Sequence, residues 1–244
     1  MSMGRPTPPV KTRTYDATKR RAQAERTRTA VLDAALARFL TGGYAGTTIE
    51  SIAADATVSV ATIYKRYGGK TGLVRALCER ALAGEGPVPA EQRSDDLQAT
   101  EHDPRTIIEG WGHLVAEIAP RVAPILLLLR DAAATDTEAA VLASELDDNR
   151  LARMTHNAAA LIRTGRLRPQ LTEHDVRDIL WLYSAPELYE LLVQRRHWTH
   201  QQLARFVTDA MTNALLPNTT TRTSARQPTP TSEPPVARPR PRMT

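Results

Sequence analysis

Residues 43–77, GYAGTTIESIAADATVSVATIYKRYGGKTGLVRAL, constrain this chain more than any other stretch. They read as two short helices joined by a tight turn, with a third helix behind. Thr47 followed by Glu50 has the form of a capping box, in which a hydroxyl accepts from a first-turn N–H and the carboxylate reaches back. Ile49, Ile52, Ala53 and Ala56 then repeat at helical spacing and make one apolar face. Thr57 and Val58 form the turn. Ser59 caps the second helix, its hydroxyl placed to take the free donor at Thr62. In that helix Ile63 and Tyr67 lie four apart and face inward, leaving Ala61, Thr62, Lys65 and Arg66 outward.

A small, polar and basic face on a short helix suits entry into a DNA major groove. Bulky side chains hold a helix out of the groove, and acids are repelled by phosphate. A helical hairpin with a solvated basic face has the same spacing, so the pattern alone leaves both readings open. Charge sharpens the choice. Residues 1–83 hold 14 Lys/Arg against 6 Asp/Glu, whereas residues 84–216 hold 13 against 20. A nucleic-acid reader joined to a module that does not bind DNA has this split.

The ordered set Gly43, Tyr44, Thr47, Thr48, Ile52, Ala53, Val58, Ser59, Thr62, Ile63, Tyr64, Tyr67, Lys70 and Leu73 resembles the DNA-binding domain of TetR-family transcriptional regulators. The likeness covers about residues 25–82. It implies that the helix at 59–67 reads the major groove, that Thr48, Ser59, Tyr64 and Lys70 hold phosphates, and that Val60, Ala61, Thr62 and Lys65 meet base edges. Three positions depart from the family pattern. Thr57 replaces the usual turn glycine, so the turn either avoids positive φ or carries strain. Gly69 stands where Ser is common, and Tyr67 where Phe is common.

The helix before this unit is expected from about Asp16 or Thr18. Val31, Leu32, Ala35, Leu36, Phe39 and Leu40 form its inward stripe, and Gly42 and Gly43 stop it. Its basic first half, including Arg20 and Arg21, projects past the packed stripe and is placed for phosphate or minor-groove contact. Residues 1–15, with Pro6, Pro8, Pro9, Lys11 and Arg13, read as a disordered basic arm. Residues 84–103 read as a mobile connector with some short helix around 94–100. Residues 217–244, rich in Thr, Pro and Arg, read as a disordered tail.

The second module is expected over 104–216. The Asp103-Pro104 pair opens its first helix, which Pro120 and Pro124 break before another helix at 125–134. Residues 136–165 make the longest helix. A helix from about 172 bends at Pro186 and continues through Leu188, Leu191 and Leu192 to about 195, and a last one covers 199–216. The aromatic share of 5% and the Leu/Ala/Ile/Val core favour helices over sheets. The fold class expected is therefore all-α: an N-terminal three-helix helix-turn-helix domain (16–83) and a larger C-terminal helical domain for ligand binding and dimerisation.

No unbroken apolar run approaches the roughly 18–20 residues that span a bilayer, so no membrane partner is expected. The single cysteine, Cys78, excludes an internal disulfide framework and fits a reducing cytoplasm. It reads as a buried structural thiol. His197 and His200 flank Trp198 with no third ligand placed to complete a metal site. No catalytic constellation and no phosphate-cradling glycine loop occurs, so neither a cofactor nor an enzymatic reaction is expected. The large side chains of the middle helices, Trp111, Leu114, Ile118, Leu128, Met154, Asn157, Leu161 and Trp181, are the pocket candidates, though each also fits plain core. By the family likeness the last two helices dimerise, with Leu188, Leu192, Leu203, Phe206, Val207, Ala210 and Met211 as interface candidates.

The reading is a homodimeric, cytoplasmic DNA-binding regulator whose partners are double-stranded DNA and a small-molecule effector that releases it from a palindromic operator. Two other classes fit the residues at this point. One is a ligand-independent or architectural DNA-binding protein of the same fold, which a second module without a cavity favours. The other is a helical enzyme that kept only the fold.

Overall fold

The computed structural model describes residues 13–84 and 86–217; the first twelve residues and those from 218 onward, which carry most of the expected arm and tail, lie outside it. Among the described residues every element is helical. Helix α1 (Arg13–Gly46) leads into α2 (Ile49–Asp55), α3 (Val60–Tyr67) and α4 (Lys70–Ala83). The second half holds α5 (Ala90–Thr100), α6 (Pro104–Ala133), α7 (Thr137–Ile162), α8 (Glu173–Tyr183), the short α9 (Pro186–Tyr189) with a π-helical turn at Glu190–Gln194, and α10 (His200–Leu215).

Local chemistry sets most boundaries. Asp103, Asp136, Thr172 and Thr199 each accept a first-turn N–H with the side chain, and the last two complete capping boxes with Asp175 and Gln202. α2 begins one residue later than the capping-box reading has it. Thr48, not Thr47, accepts from the Ser51 N–H at 3.1 Å. Thr47 is buried instead, its hydroxyl placed against the carbonyls of Arg38 at 3.0 Å and Gly43 at 2.8 Å. It ties off the end of α1, where Gly43 at φ 70° breaks the helical path. The inward stripe of α1 is Val31, Leu32, Ala35 and Phe39; Leu40 is 53% exposed and does not belong to it.

The expected break at Pro120 and Pro124 does not occur, and α6 runs unbroken through both. Each proline removes an N–H and costs about 3 kcal/mol or more inside a helix. Set four apart, the two fall on one helix face, which confines the lost bonds to one side. Packing on both sides of them outweighs that cost. Ile107, Ile108 and Trp111 are buried in one core, and Ile125 and Leu129 in the other. Each such side chain contributes about 1.5–3 kcal/mol by leaving water.

The result is a rod shared by two cores. The first core joins α1–α4 to Ile125 and Leu129 of α6 and to Ala139 and Leu142 of α7. The second gathers Ile107, Ile108 and Trp111 with Leu161, Val176, Leu180, Leu203, Val207 and Met211. By length and composition α6 is apolar enough to cross a bilayer, contrary to the sequence expectation, but its residues on either side of the prolines fill these two cores. Gly112 lets α10 approach closely: a Cβ there meets Thr208 Oγ1 at 2.1 Å and the Ala204 carbonyl at 3.1 Å.

Three further boundaries differ from expectation. α7 is shorter than both α1 and α6, so it is not the longest helix. The helix expected over 172–195 ends at Tyr183, because Pro186 restarts the chain as a separate turn. Residues 90–100 of the expected connector form α5, which is packed on α6 through paired bonds of Arg93 to Glu117 at 2.7 and 2.8 Å.

Candidate nucleic-acid interface and internal cavity

The α2–α3 turn closes by a Schellman arrangement. The Val58 N–H donates to the Ala53 carbonyl at 3.0 Å and that of Thr57 to Ala54 at 3.2 Å. This geometry places Thr57 at φ 54°, so of the two possibilities open in the sequence the strained one is realised. A β-branched residue in the left-handed region costs roughly 1–2 kcal/mol, and glycine there loses about 0.5–1 kcal/mol of backbone entropy in exchange. Thr57→Gly is therefore expected to raise stability by up to about 1 kcal/mol, a gain of roughly 2–4 °C in Tm by calorimetry. An unchanged or lower Tm contradicts the strain.

Ser59 caps α3 as expected, its hydroxyl accepting from the Thr62 N–H at 3.2 Å and lying 2.8 Å from the Thr62 hydroxyl. Ile63 is fully buried against the first core. Tyr67 points inward too, but its hydroxyl is buried with no bonding partner among the described residues. Ala61, Thr62, Lys65 and Arg66 are exposed, Tyr64 is 51% exposed and Val60 half-buried. Thr48 and Ser59, at the N-termini of α2 and α3, are both exposed. Arg20 and Arg21 lie exposed on the first half of α1.

Lys70 is held in a way the sequence does not reveal. Its ammonium donates to the Tyr44 carbonyl at 2.9 Å and lies 4.4 Å from the centre of the Tyr44 ring. Tyr44 itself stacks on Phe39 at 5.8 Å, and its hydroxyl pKa is pushed up to about 12 by burial and then by the charges of Asp136 and Glu138. Lys70 thus pins the start of α4 to the end of α1. Gly72 lets α3 and α4 touch: a Cβ on it falls 1.6 Å from the Tyr67 carbonyl oxygen.

Behind this unit lies a cavity of ≈ 590 Å³. Its walls come from α4 (Arg75, Cys78, Glu79, Leu82), from the apolar side of α6 and from one stripe of α7, with further residues of α5, α8, α9 and α10. Of the pocket candidates, Trp111, Leu114, Ile118, Met154 and Asn157 border it. Leu161 is buried in the second core, Leu128 packs against the first, and Trp181 lies under the Arg150 guanidinium at 4.4 Å; none of these three borders the cavity. The sequence reading missed Arg150 and Arg153. They share the i, i+3, i+7 stripe of Asn157, and that spacing is the signal that finds them. Cys78 is buried, and burial, then the charge of Glu79, pushes its thiol up to about 12, so it stays protonated.

The interface candidates divide. Leu203, Val207 and Met211 are buried inside the protomer's own second core, and Leu188, Leu203 and Met211 border the cavity. Leu192 and Ala210 are half-buried. Phe206 is 37% exposed, edge-on to Trp198 at 5.7 Å and Tyr183 at 6.3 Å. Leu182 and Leu191, which the sequence reading did not name as interface residues, are among the exposed large apolar side chains.

A short helix offering small and basic side chains outward, capped and locked to a supporting helix, with a second helical module bordering a cavity, defines a helix-turn-helix architecture with a chamber behind it. Residues 31–77 match the family described as bacterial regulatory proteins, tetR family. Over residues 31–77 the chain resembles the DNA-binding domain of TetR-family transcriptional regulators. It is 40% identical over 67 residues to the uncharacterized HTH-type transcriptional regulator YvkB of Bacillus subtilis (strain 168), a match covering 28% of this chain and 35% of that protein, about a third of its length. Among solved structures it is similar to NalD, the secondary repressor of the MexAB-OprM multidrug efflux pump in Pseudomonas aeruginosa, with TM-score 0.63, 22% identity and coverage of 81% of this chain and 99% of that one. It is also similar to SmeT in its triclosan complex, with TM-score 0.62, 19% identity and coverage of 79% and 93%. At these identities the solved structures share its fold.

Proposed function

We propose that this protein is a cytoplasmic, homodimeric transcriptional repressor that leaves a palindromic operator when a small apolar or amphipathic molecule fills its cavity. The observation that carries this reading is the position of α4. Arg75, Cys78, Glu79 and Leu82 of α4 border the cavity, while Leu73, Val74 and Leu77 of the same helix hold Ile52 and Ile63 in the first core. An occupant of the cavity therefore presses on the helix that seats the reading helix. A ligand-independent architectural protein calls for a second module without such a chamber, and the family match over residues 31–77 weighs against the enzymatic alternative.

The test is selection of bound DNA from a random pool, followed by operator titration with and without compounds that raise the melting temperature. Recovery of a palindrome and reciprocal weakening, of typically ~1–3 kcal/mol, support the reading. Compounds that stabilise the protein and leave operator affinity unchanged overturn the switch.

Within that reading Val60, Ala61, Thr62 and Lys65 meet base edges, Thr48, Ser59, Tyr64 and Lys70 meet phosphates, and Arg20 and Arg21 meet phosphates or the minor groove. Lys65→Ala is expected to reduce discrimination between operator variants by ~1–3 kcal/mol, and Thr62→Ala likewise. Lys70→Ala is expected to weaken all sequences alike and also to lower Tm, because its ammonium is bound to Tyr44. Identical behaviour of Lys65→Ala and Lys70→Ala across a site library contradicts this division.

A further inference from the structure

Two of the cavity's walls are unlike. Trp111, Leu114, Val115, Ile118, Ala119 and Val122 of α6 are almost wholly apolar, and the one indole N–H among them is satisfied by Ser94 Oγ at 3.0 Å. The α7 wall carries Arg150, Arg153 and Asn157 at successive turns, beside Leu146, Asn149 and Met154. Their donors are not equally committed. Arg150 gives Nη1 to the Trp181 carbonyl at 2.6 Å and Nη2 to Asp147 at 2.7 Å. Arg153 uses only Nη2, toward the Glu91 carbonyl at 3.1 Å and Asp95 at 2.7 Å; among the described residues its Nε and Nη1 donate to nothing. Its side chain is 19% exposed. Asn157 is 5% exposed. Its carbonyl oxygen accepts from Gln98 Nε2 at 3.0 Å, an orientation that leaves its amide N–H groups uncommitted.

The two carboxylates on the lining, Glu79 and Glu91, belong to exposed residues. The deeper wall therefore offers spare donors and positive charge, and the acids sit toward solvent. A neutral ligand offers the spare donors of Arg153 weaker acceptors than a charged head does. A cationic one brings no acceptor to the Arg153 guanidinium and meets a like charge there.

We propose that the effector class is an amphipathic anion: an apolar body lying along α6 with one acidic head, a carboxylate or its equivalent, taken by Arg153 and Asn157. This rests on the cavity being the effector site. Charge-assisted bonds to a carboxylate are roughly twice as strong as neutral ones, so the head group decides affinity while the chain supplies burial.

The experiment measures binding to the full chain without DNA, by calorimetry, of decanoate, methyl decanoate and decylamine, all below their micellar concentrations. Decanoate is expected to bind at least about tenfold more tightly than the ester, a difference that two such bonds supply. Arg153→Gln should erase the preference while leaving the ester's affinity within about threefold. Because that variant also loses the α5–α7 ion pair, Asp95→Asn is the control. It breaks the same pair but keeps the guanidinium, and should retain the preference. Equal binding of ester or amine, or a preference that survives Arg153→Gln, overturns the anionic class. Binding by none of the three overturns it as well. Relief of operator binding by unrelated compounds then tells whether the cavity still acts as a switch.

Discussion

Gly72→Ala is expected to abolish operator binding and to destabilise the protein, although helix propensity alone gives it the opposite sign. Inside a helix, alanine is favoured over glycine by about 0.8–1 kcal/mol. At position 72 the added Cβ falls 1.6 Å from the Tyr67 carbonyl oxygen and 2.7 Å from its carbonyl carbon. Those atoms are backbone at the end of α3, so no rotamer relieves the overlap. α3 must move off α4, and Ile63, fully buried, moves with it. Overpacking of this kind typically costs 1–3 kcal/mol and occasionally more; a contact with rigid backbone belongs at the upper end, about 3 kcal/mol beyond the propensity gain. A reading helix displaced by an ångström or two loses several base contacts, each worth about 1–3 kcal/mol of discrimination. Operator affinity should fall at least about a hundredfold at constant salt. The measurement is operator titration beside thermal melting. A variant that melts no lower than the parent and binds normally means that α3 and α4 are not in this contact.

Phe206→Glu and Val207→Asp, neighbours in sequence, are expected to fail in different ways. Val207 is fully buried in the second core. A lone carboxylate there loses its hydration and gains no partner, a penalty of several kcal/mol against a total stability of about 5–15 kcal/mol. That chain should not fold. Phe206 lies at the surface, 37% exposed, with Leu182 and Leu191 also exposed on the neighbouring segments. On the dimer reading, this outer face meets its two-fold copy, and Phe206→Glu brings like charges together there. The expected product is a folded monomer. Linking two half-site readers raises avidity by ~10²–10⁴, so full-operator affinity should drop by that factor while single half-site affinity stays as it was. Sedimentation, far-UV circular dichroism and titration on full and half sites separate the cases. A Phe206→Glu dimer with normal operator affinity moves the interface elsewhere on the surface.

These two expectations mark where sequence reasoning stops. The helix-turn-helix was legible because its determinants are local. Caps act within three residues, as at Ser59 and Thr62, and an apolar face repeats within two turns, as at Ile49, Ile52 and Ala53. The strain at Thr57 was foreseeable as one of two outcomes for the same reason. Local rules misplaced the cap of α2 by a residue, because Thr47 and Thr48 are equally good acceptors. The choice falls to the carbonyls of Arg38 and Gly43 that engage Thr47.

What tertiary structure decided concerns partners distant in sequence. Composition cannot say that α6 survives two prolines; burial at Ile108 and Leu129, in separate cores, decides that. The stripe of α10 is equally apolar whether it faces its own core or a second copy, and only packing against α6 assigns Leu203, Val207 and Met211 inward and leaves Phe206 at the surface. The same holds for the chamber. A large apolar side chain reads alike whether it lines a space, as Met154 does, or fills one, as Leu161 does. Periodicity reports which face of a helix avoids water, and the fold alone determines what that face meets.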